Sequence, residues 1–426
     1  MKKPNTLLRL LTMLMAFALV AAACSSSGDT ATGDETADDA EAEESETSDD
    51  EEAMEDEEAM EDEEAMEDEE AMEDEEAMED EEGAAVGNFS ACPNPVVIQT
   101  DWFPEPEHGA VYNLTAGEGS VNPETGVFTG PLAADPSINI EIRAGGPFIG
   151  FQDTISLMAT DNDIFLGFVN TDEQTARYAD FPSTAVFAPL EINPQMIMWD
   201  PNTYDVSSWD DVLGTEAVLN IFAGGFYPEW LVGSGLVDAG QLDPSYDGSP
   251  ARFIAEAGAI MQQGFITQEP FNYENIFADW GQPVETLLIH DSGYEIYQGA
   301  IGILDANFDD AARECLTALV PAMQQSAVDF AADPSATNGA ILQAVTDLDT
   351  FWELSEDSVA FTHATMHGDL GIVSNGGDST LGNFDTDRLQ GVLDLIDEQV
   401  PTIERGETTV DDLVTNEFID ESIGLG

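Results

Sequence analysis

The strongest constraint on what this chain can fold into is a stretch that cannot fold. Residues 25–82 carry 33 acidic side chains and no basic one, and the hexapeptide EEAMED recurs five times between residues 51 and 80. A period of six steps successive Met residues about 240° around a helix, so no apolar face builds up. Like charges at helical spacing repel. Such a tract cannot bury enough surface to offset the cost of ordering, and it is expected to be a disordered, charge-extended tether. A helical spacer is the alternative, given its content of Glu, Ala and Met. As a flexible coil the tract spans at least ~40 Å. Any core must therefore come from residues 83–426. That part holds the other 55 of the 88 acids, six Arg and no Lys, a formal charge of −49. A surface of this kind repels nucleic acid and anionic lipid, and anionic solutes at long range. The length suits two lobes.

The N-terminus reads as a targeting segment. Lys2, Lys3 and Arg9 precede a short apolar run at 10–20, and Ala21, Ala22 and Ala23 stand directly before Cys24. This is the layout of a secretory signal. With a cysteine after the small residues it resembles the lipobox of bacterial lipoproteins, which implies lipidation of Cys24. Ala21 stands where Leu is commoner. An ordinary cleaved signal is the alternative; the run is short for a membrane span. Cys92 and Cys315 remain, an even pair for an oxidising compartment, either bonded to each other or two separate buried thiols. No CxxC spacing points to structural zinc.

Within the foldable part, residues 96–112 (VVIQTDWFPEPEHGAVY) set the pattern. Residues 96–99 read as a short buried strand. Pro104 and Pro106 then bar regular structure, which puts Asp101, Trp102, Phe103 and His108 on a loop at the strand's C-terminal end. An acidic, aromatic, rigid loop suits a planar hydrogen-bonding small molecule. Residues 113–139 read as irregular. The strand at 138–142 ends in RAGGP, where Gly145 and Gly146 either open backbone N–H groups to a ligand or make a plain turn. Further strands are expected at 163–170, 183–190, 195–199, 218–222, 264–271, 286–290 and 294–303. Helices are expected from 205, over 251–263, and over 309–331, 335–348 and 385–400. After 218–222 comes AGGFYPEW, a third glycine-rich strand end with aromatics. Short strands alternating with helices mean an α/β chain with parallel sheets.

Several chemistries are missing. A Walker A loop and a pyridoxal Schiff base both need a Lys, and none lies beyond Lys3. No G-x-S-x-G elbow occurs. His363 and His367 sit four apart in HATMH, without the Glu of a zinc-protease helix. Paired carboxylates arise by chance among 55 acids. Neither an enzyme nor a cofactor or metal is expected.

QTDWFPEPEHGAVY resembles the signature loop of ABC-transporter solute-binding proteins of the thiamine-precursor and nitrate/sulfonate/taurine type. IEIRAGGP, AVFAPLEINPQMIM, GGFYPEWL, QGFITQEPF and SNGGDSTLGNFDTDRLQGVLDLI come after it in the family's order. No single motif decides; six in order, over about residues 96–400, do. Residues 113–135 depart from the family by being longer and richer in Gly, Pro and Asn. The resemblance implies a type II periplasmic-binding fold, two α/β lobes joined by two crossings and closing on a solute. Its implied divisions are a signal peptide (1–23), a lipid-anchored tether (24–90), a first lobe (91–198), a second lobe (199–295) and a return to the first lobe (296–426). It implies ligand-binding roles for Asp101, Trp102, His108, Tyr112, Gly145 and Gly146 on one side. Phe226, Tyr227, Trp230 and Glu269 fall on the other. It further implies an extracytoplasmic, membrane-anchored monomer with a permease and an ATPase as partners. The acids favour a thiamine-precursor pyrimidine or similar amino-heteroaromatic solute. Nitrate, sulfonate or taurine-type anions, or an extracytoplasmic enzyme on the same fold, are the alternatives.

Overall fold

The computed structural model describes residues 87–426, so the expected signal segment, Cys24 and the EEAMED repeats lie outside the described residues. Twelve strands run in order: β1 (Val96–Gln99), β2 (Ser120–Asn122), β3 (Val127–Leu132), β4 (Asp135–Arg143), β5 (Leu166–Val169), β6 (Ser183–Phe187), β7 (Gln195–Trp199), β8 (Leu219–Asn220), β9 (Leu242–Asp243), β10 (Met261–Phe265), β11 (Glu285–Leu288) and β12 (Ala300–Leu304). They form two sheets, ordered β2-β3-β4-β1-β5-β12-β6 and β11-β7-β10-β8-β9.

The two sheets repeat one plan. In the first, β1 lies parallel between β4 and β5, and β12 runs antiparallel between β5 and β6. In the second, β8 lies parallel between β9 and β10, and β7 runs antiparallel between β10 and β11. The antiparallel place in each sheet is filled by a strand arriving from the other: β7 comes after β6, and β12 after β11. The chain therefore crosses twice, the two-lobed type II periplasmic-binding arrangement. In both sheets the parallel strands end toward loops that carry acids and aromatics, as open α/β sheets place their ligand sites.

β1 is buried at all four positions, as expected of a central parallel strand covered on both faces. One core cluster joins Ile98, Ile140 and Ile142 to Leu316, Leu319 and Met323 of the helix Asp310–Ala332. Asp309 caps that helix, its carboxylate accepting the Ala311 and Ala312 N–H groups. Cys315 of this helix is disulfide-bonded to Cys92, with Cα atoms 4.7 Å apart, tying the lead into β1 to the helix. The helix Thr386–Gln399, capped by Asp385, belongs to a second cluster with Trp199, Leu219 and Leu231. The C-terminal helices thus serve both sheets.

Several stretches differ from expectation; the strand expected over 294–303, for one, begins only at Ala300. Residues 113–139 are not irregular throughout: β2, β3 and the start of β4 form an antiparallel extension, turning at Gly126 with φ +70°. The helix expected over 251–263 stops at Ala255, because Ala257 and Gly258 both adopt positive φ. β10 begins at Met261 and ends at Phe265, short of the expected 271, and a helix over Glu269–Asn275 takes over. Gln262 and Gln263 are tolerated in this buried strand because both are hydrogen-bonded, to the Tyr273 and Tyr227 hydroxyls.

Candidate functional site

The loop after β1 is held by the turn after β4. The Gly145 N–H donates to the Trp102 carbonyl at 2.8 Å, and the Gly146 N–H to the Asp101 carbonyl at 2.9 Å. A Cβ on Gly145 would lie 2.3 Å from the Thr100 carbonyl oxygen. Here the plain-turn reading prevails: the glycines let two backbones meet, and their N–H groups hold the loop in place of a ligand.

The loop gathers buried acids. His108 is 2% exposed, edge-on to Phe168 at 4.7 Å; its Nε2 meets Asp101 Oδ1 at 2.9 Å and Glu105 Oε1 at 3.6 Å. Burial, with Glu107, Asp101 and Glu269 nearby, holds the Glu105 carboxyl well above the usual range. Glu107 reaches across to the segment after β10. It accepts from the Thr267 hydroxyl and, at 3.1 Å, from the Gln268 amide, and burial raises its pKa. Glu269 is half-buried and accepts the Phe265 N–H at 2.7 Å; burial pushes its carboxyl up to about 7. A second acid group stands after β5. Asp172 accepts from the Tyr294 hydroxyl at 2.9 Å, and burial raises Asp172 to about 6 and its neighbour Glu173 to about 8. The charge on Asp101 acts on both Glu105 and Glu173, so the two groups share one field.

Among the described residues no arginine is left over to meet these acids. Arg143, Arg177, Arg252, Arg313, Arg388 and Arg405 each already pair with a carboxylate. Two buried acceptors near the acids also lack a donor among the described residues: Gln268 Oε1, on the amide that serves Glu107, and Asn272 Oδ1, one helical turn beyond Gln268. The region thus offers two unpartnered amide oxygens, with His108 Nδ1 a further buried atom without a partner among the described residues.

Aromatic rings cover it. Trp102 lies 6.0 Å from Phe222, beyond β8, and 3.3 Å from where a Cβ on Gly248 would stand, so it touches the opposite half of the molecule. Trp352 stands edge-on to Trp102 at 6.0 Å and parallel to Phe103 at 6.0 Å. Beneath them is a pocket lined by Tyr246, Gly248, Glu269, Asn272, Tyr273 and Trp352, among others.

The residues expected at the ligand thus divide. Asp101, Trp102, His108 and Glu269 come together with Glu105 and Glu107. Tyr112 is 1% exposed and packs edge-on against Phe128 in the core. Tyr227 is 4% exposed, its hydroxyl spent on Gln263. Trp230 stacks on Tyr294 and donates to the Ser292 hydroxyl, and Phe226 packs at the edge of the second core cluster. His363 and His367 each meet a backbone carbonyl, of Phe330 and of His363. Glu105, Glu107, Tyr246 and Trp352 were not foreseen. The two Glu residues lay in the quoted loop; for Trp352 no sequence signal existed.

No protein-family profile matches the chain, and no curated protein matches it. Solved structures do. A protein of Bordetella bronchiseptica RB50 aligns at TM-score 0.51 and 12% identity, over 76% of this chain and 96% of its own. The periplasmic aliphatic sulphonate binding protein of Escherichia coli aligns at 0.49 and 12%, over 75% and 99%. A ligand-binding component of an ABC-type import system from Staphylococcus aureus, with zinc bound, aligns at 0.47 and 14%, over 76% and 97%. At these identities the likeness is one of fold. No helix among the described residues is long and apolar enough to cross a membrane.

Proposed function

We propose that this chain is the extracytoplasmic solute-binding component of an ABC importer, anchored through Cys24 and held off the membrane by its acidic tether. It captures a small solute between its two lobes, the second of which begins with β7, as a monomer, and hands it to a permease and ATPase. The solute is a hydrogen-bond donor, an amino-heteroaromatic of the thiamine-precursor pyrimidine kind, with Trp102 to stack on and Asp101 and Glu269 to accept its N–H groups.

One observation carries this reading: acids from both sheets converge where Glu107 bridges to Thr267 and Gln268, and every Arg among the described residues is already paired. Nitrate, sulfonate or taurine would require a free cation beside these carboxylates, against their own field.

The test is a thermal-shift screen of the full chain against pyrimidines, thiamine, riboflavin, polyamines, taurine and nitrate. Stabilisation by an amino-heteroaromatic, lost in Asp101→Ala, is the expected result. Stabilisation by anions alone, indifferent to Asp101→Ala, would overturn it, and turnover of a bound compound would move the chain to the enzymes.

A further inference from the structure

The pocket beneath Trp352 adjoins the stacking surface of Trp102 through Gly248 and Trp352. Its walls are Tyr246, Tyr273, Phe277 and Trp352; Ser249 and the exposed Glu353 also line it, and its more buried polar lining is Glu269 and Asn272. Glu269 sits within hydrogen-bonding reach of the Tyr246 hydroxyl and accepts the Phe265 N–H. Neither group is a cation, and the pocket lining includes no Arg or His. Asn272 is 8% exposed and its Oδ1 has no donor among the described residues. A carboxylate and an orphaned amide oxygen in an aromatic-walled pocket together ask for one kind of group: positively charged, with at least one N–H, on an apolar body. Aromatic faces attract such a cation, and an ionised acceptor strengthens its N–H bond. A quaternary ammonium would satisfy the rings and leave Asn272 unpartnered. A hydroxyl would reach both acceptors with a single proton and no charge.

We propose that this pocket takes a primary or secondary ammonium group carried on a small apolar body, with the ammonium between Glu269 and Asn272 and the body against Tyr273 and Trp352. The inference rests on the solute-binding reading and specifies which part of a solute enters where. It also gives Trp352 a role. The segment between the helices Ser335–Leu348 and Glu356–Met366 brings Trp352 against Phe103 and, with Phe351 and Glu353, into the wall of a pocket whose other residues lie within 246–277. Trp352 is therefore a specificity-determining residue held by one half of the chain over a carboxylate of the other.

Four probes share a benzyl body and separate the possibilities: benzylamine, benzyltrimethylammonium, benzyl alcohol and phenylmethanesulfonate. Titration calorimetry on the full chain is expected to show benzylamine binding best, with the trimethyl compound weaker and the alcohol and sulfonate without measurable binding. Glu269→Gln and Asn272→Leu should each weaken benzylamine by about tenfold or more, as loss of a charge-assisted or buried acceptor does. Since Glu269 also holds the Phe265 N–H, Trp352→Ala supplies a variant remote from that bond, and it too should weaken benzylamine. Benzylamine binding that is lost in Asp101→Asn but untouched in Glu269→Gln, Asn272→Leu and Trp352→Ala overturns the subsite and leaves the solute-binding reading standing. Binding of the sulfonate alone overturns both. Binding of none of the four overturns the subsite, and the broader solute screen then decides the reading by itself.

Discussion

The two sheets share a strand order but not a build. The first has seven strands, a nine-residue β4, an antiparallel extension, two long helices and a disulfide. The second has five, of which β8 and β9 are two residues each. Its wall of the site is built from the segments after β8, β9 and β10: Phe222, Tyr246 and Glu269. The first wall is stiffer, with Asp101 and Trp102 pinned through their carbonyls to Gly145 and Gly146. A stiff wall presents fixed groups, and a wall of loops adjusts to the solute it closes on. If that contrast is right, perturbing each half should have separable consequences.

The largest effect is expected at the disulfide. Replacing Cys92 and Cys315 by Ala frees a closure between residues 223 apart and should cost about 3–5 kcal/mol in denaturant unfolding. The loss should fall on the first half. Amide exchange at β1 and β4 should quicken while β7 and β10 keep their protection. Equal quickening in both sheets would mean that the halves unfold as one unit and would break the comparison. Next comes the bridge. Glu107→Ala leaves the buried Thr267 hydroxyl and Gln268 amide without their acceptor, a cost of about 1–3 kcal/mol to the closed form. Benzylamine affinity should fall by a similar factor while the amide protection of each sheet stays unchanged. Loss of protection in either sheet would make Glu107 a core residue of that half and not a bridge.

Protonation should distinguish the walls more gently. Glu269 is raised to about 7, with Glu107, Tyr246 and the Phe265 N–H facing it and Glu105 in its field. A carboxyl raised in the fold contributes stability that is complete below the ordinary carboxylate range and lost as pH rises through about 7. The ligand-free chain should therefore lose about 1–2 kcal/mol between pH 5 and pH 8 from this group, screening included. Binding of benzylamine selects the ionised form, so its affinity should rise over the same interval. Glu269→Gln should flatten both profiles. Profiles unchanged by that substitution would place the proton elsewhere, with Glu173, raised to about 8, the next group to test.

How far the sequence could be read depends on the range of the interactions. β1 was legible because three apolar residues and Gln99 end at a proline-bounded loop, and the helix over 310–332 because its spacing is long and Asp309 caps it. The antiparallel extension was not, because β3 reads VFTGPL, where Gly130 and Pro131 break the alternation. Asp101 and His108 lie seven apart on one loop, so their pairing is local. Glu107 meets Thr267 from 160 residues away, and Trp352 reaches Phe103 from a connection between helices; neither leaves a periodic trace. Gly145 and Gly146 were placed rightly at the strand end, with their purpose left open between a ligand and a plain turn; their N–H groups hold the Trp102 and Asp101 carbonyls. A glycine pair looks alike in sequence whether its N–H groups face a ligand or a neighbouring loop.

The smallest predicted effect bears on the residue where sequence and geometry diverge most. Trp102 and Trp230 both stand beside prolines near strand ends, and both were expected at the ligand. Trp102 is half-buried and faces Phe222 and Trp352 across the site. Trp230 is half-buried too, but its ring stacks on Tyr294 and its Nε1 donates to the Ser292 hydroxyl at 2.9 Å. Ser292 and Tyr294 lead into β12, so Trp230 braces one of the two crossings between the sheets. Trp230→Phe should keep the stacking, lose one hydrogen bond and cost about 1 kcal/mol, with benzylamine affinity unchanged. Trp102→Phe should do the reverse, leaving stability nearly intact and weakening the ligand. A ligand effect at Trp230 as large as that at Trp102 would mean that the crossing, and not the loop after β1, forms the main contact with the solute.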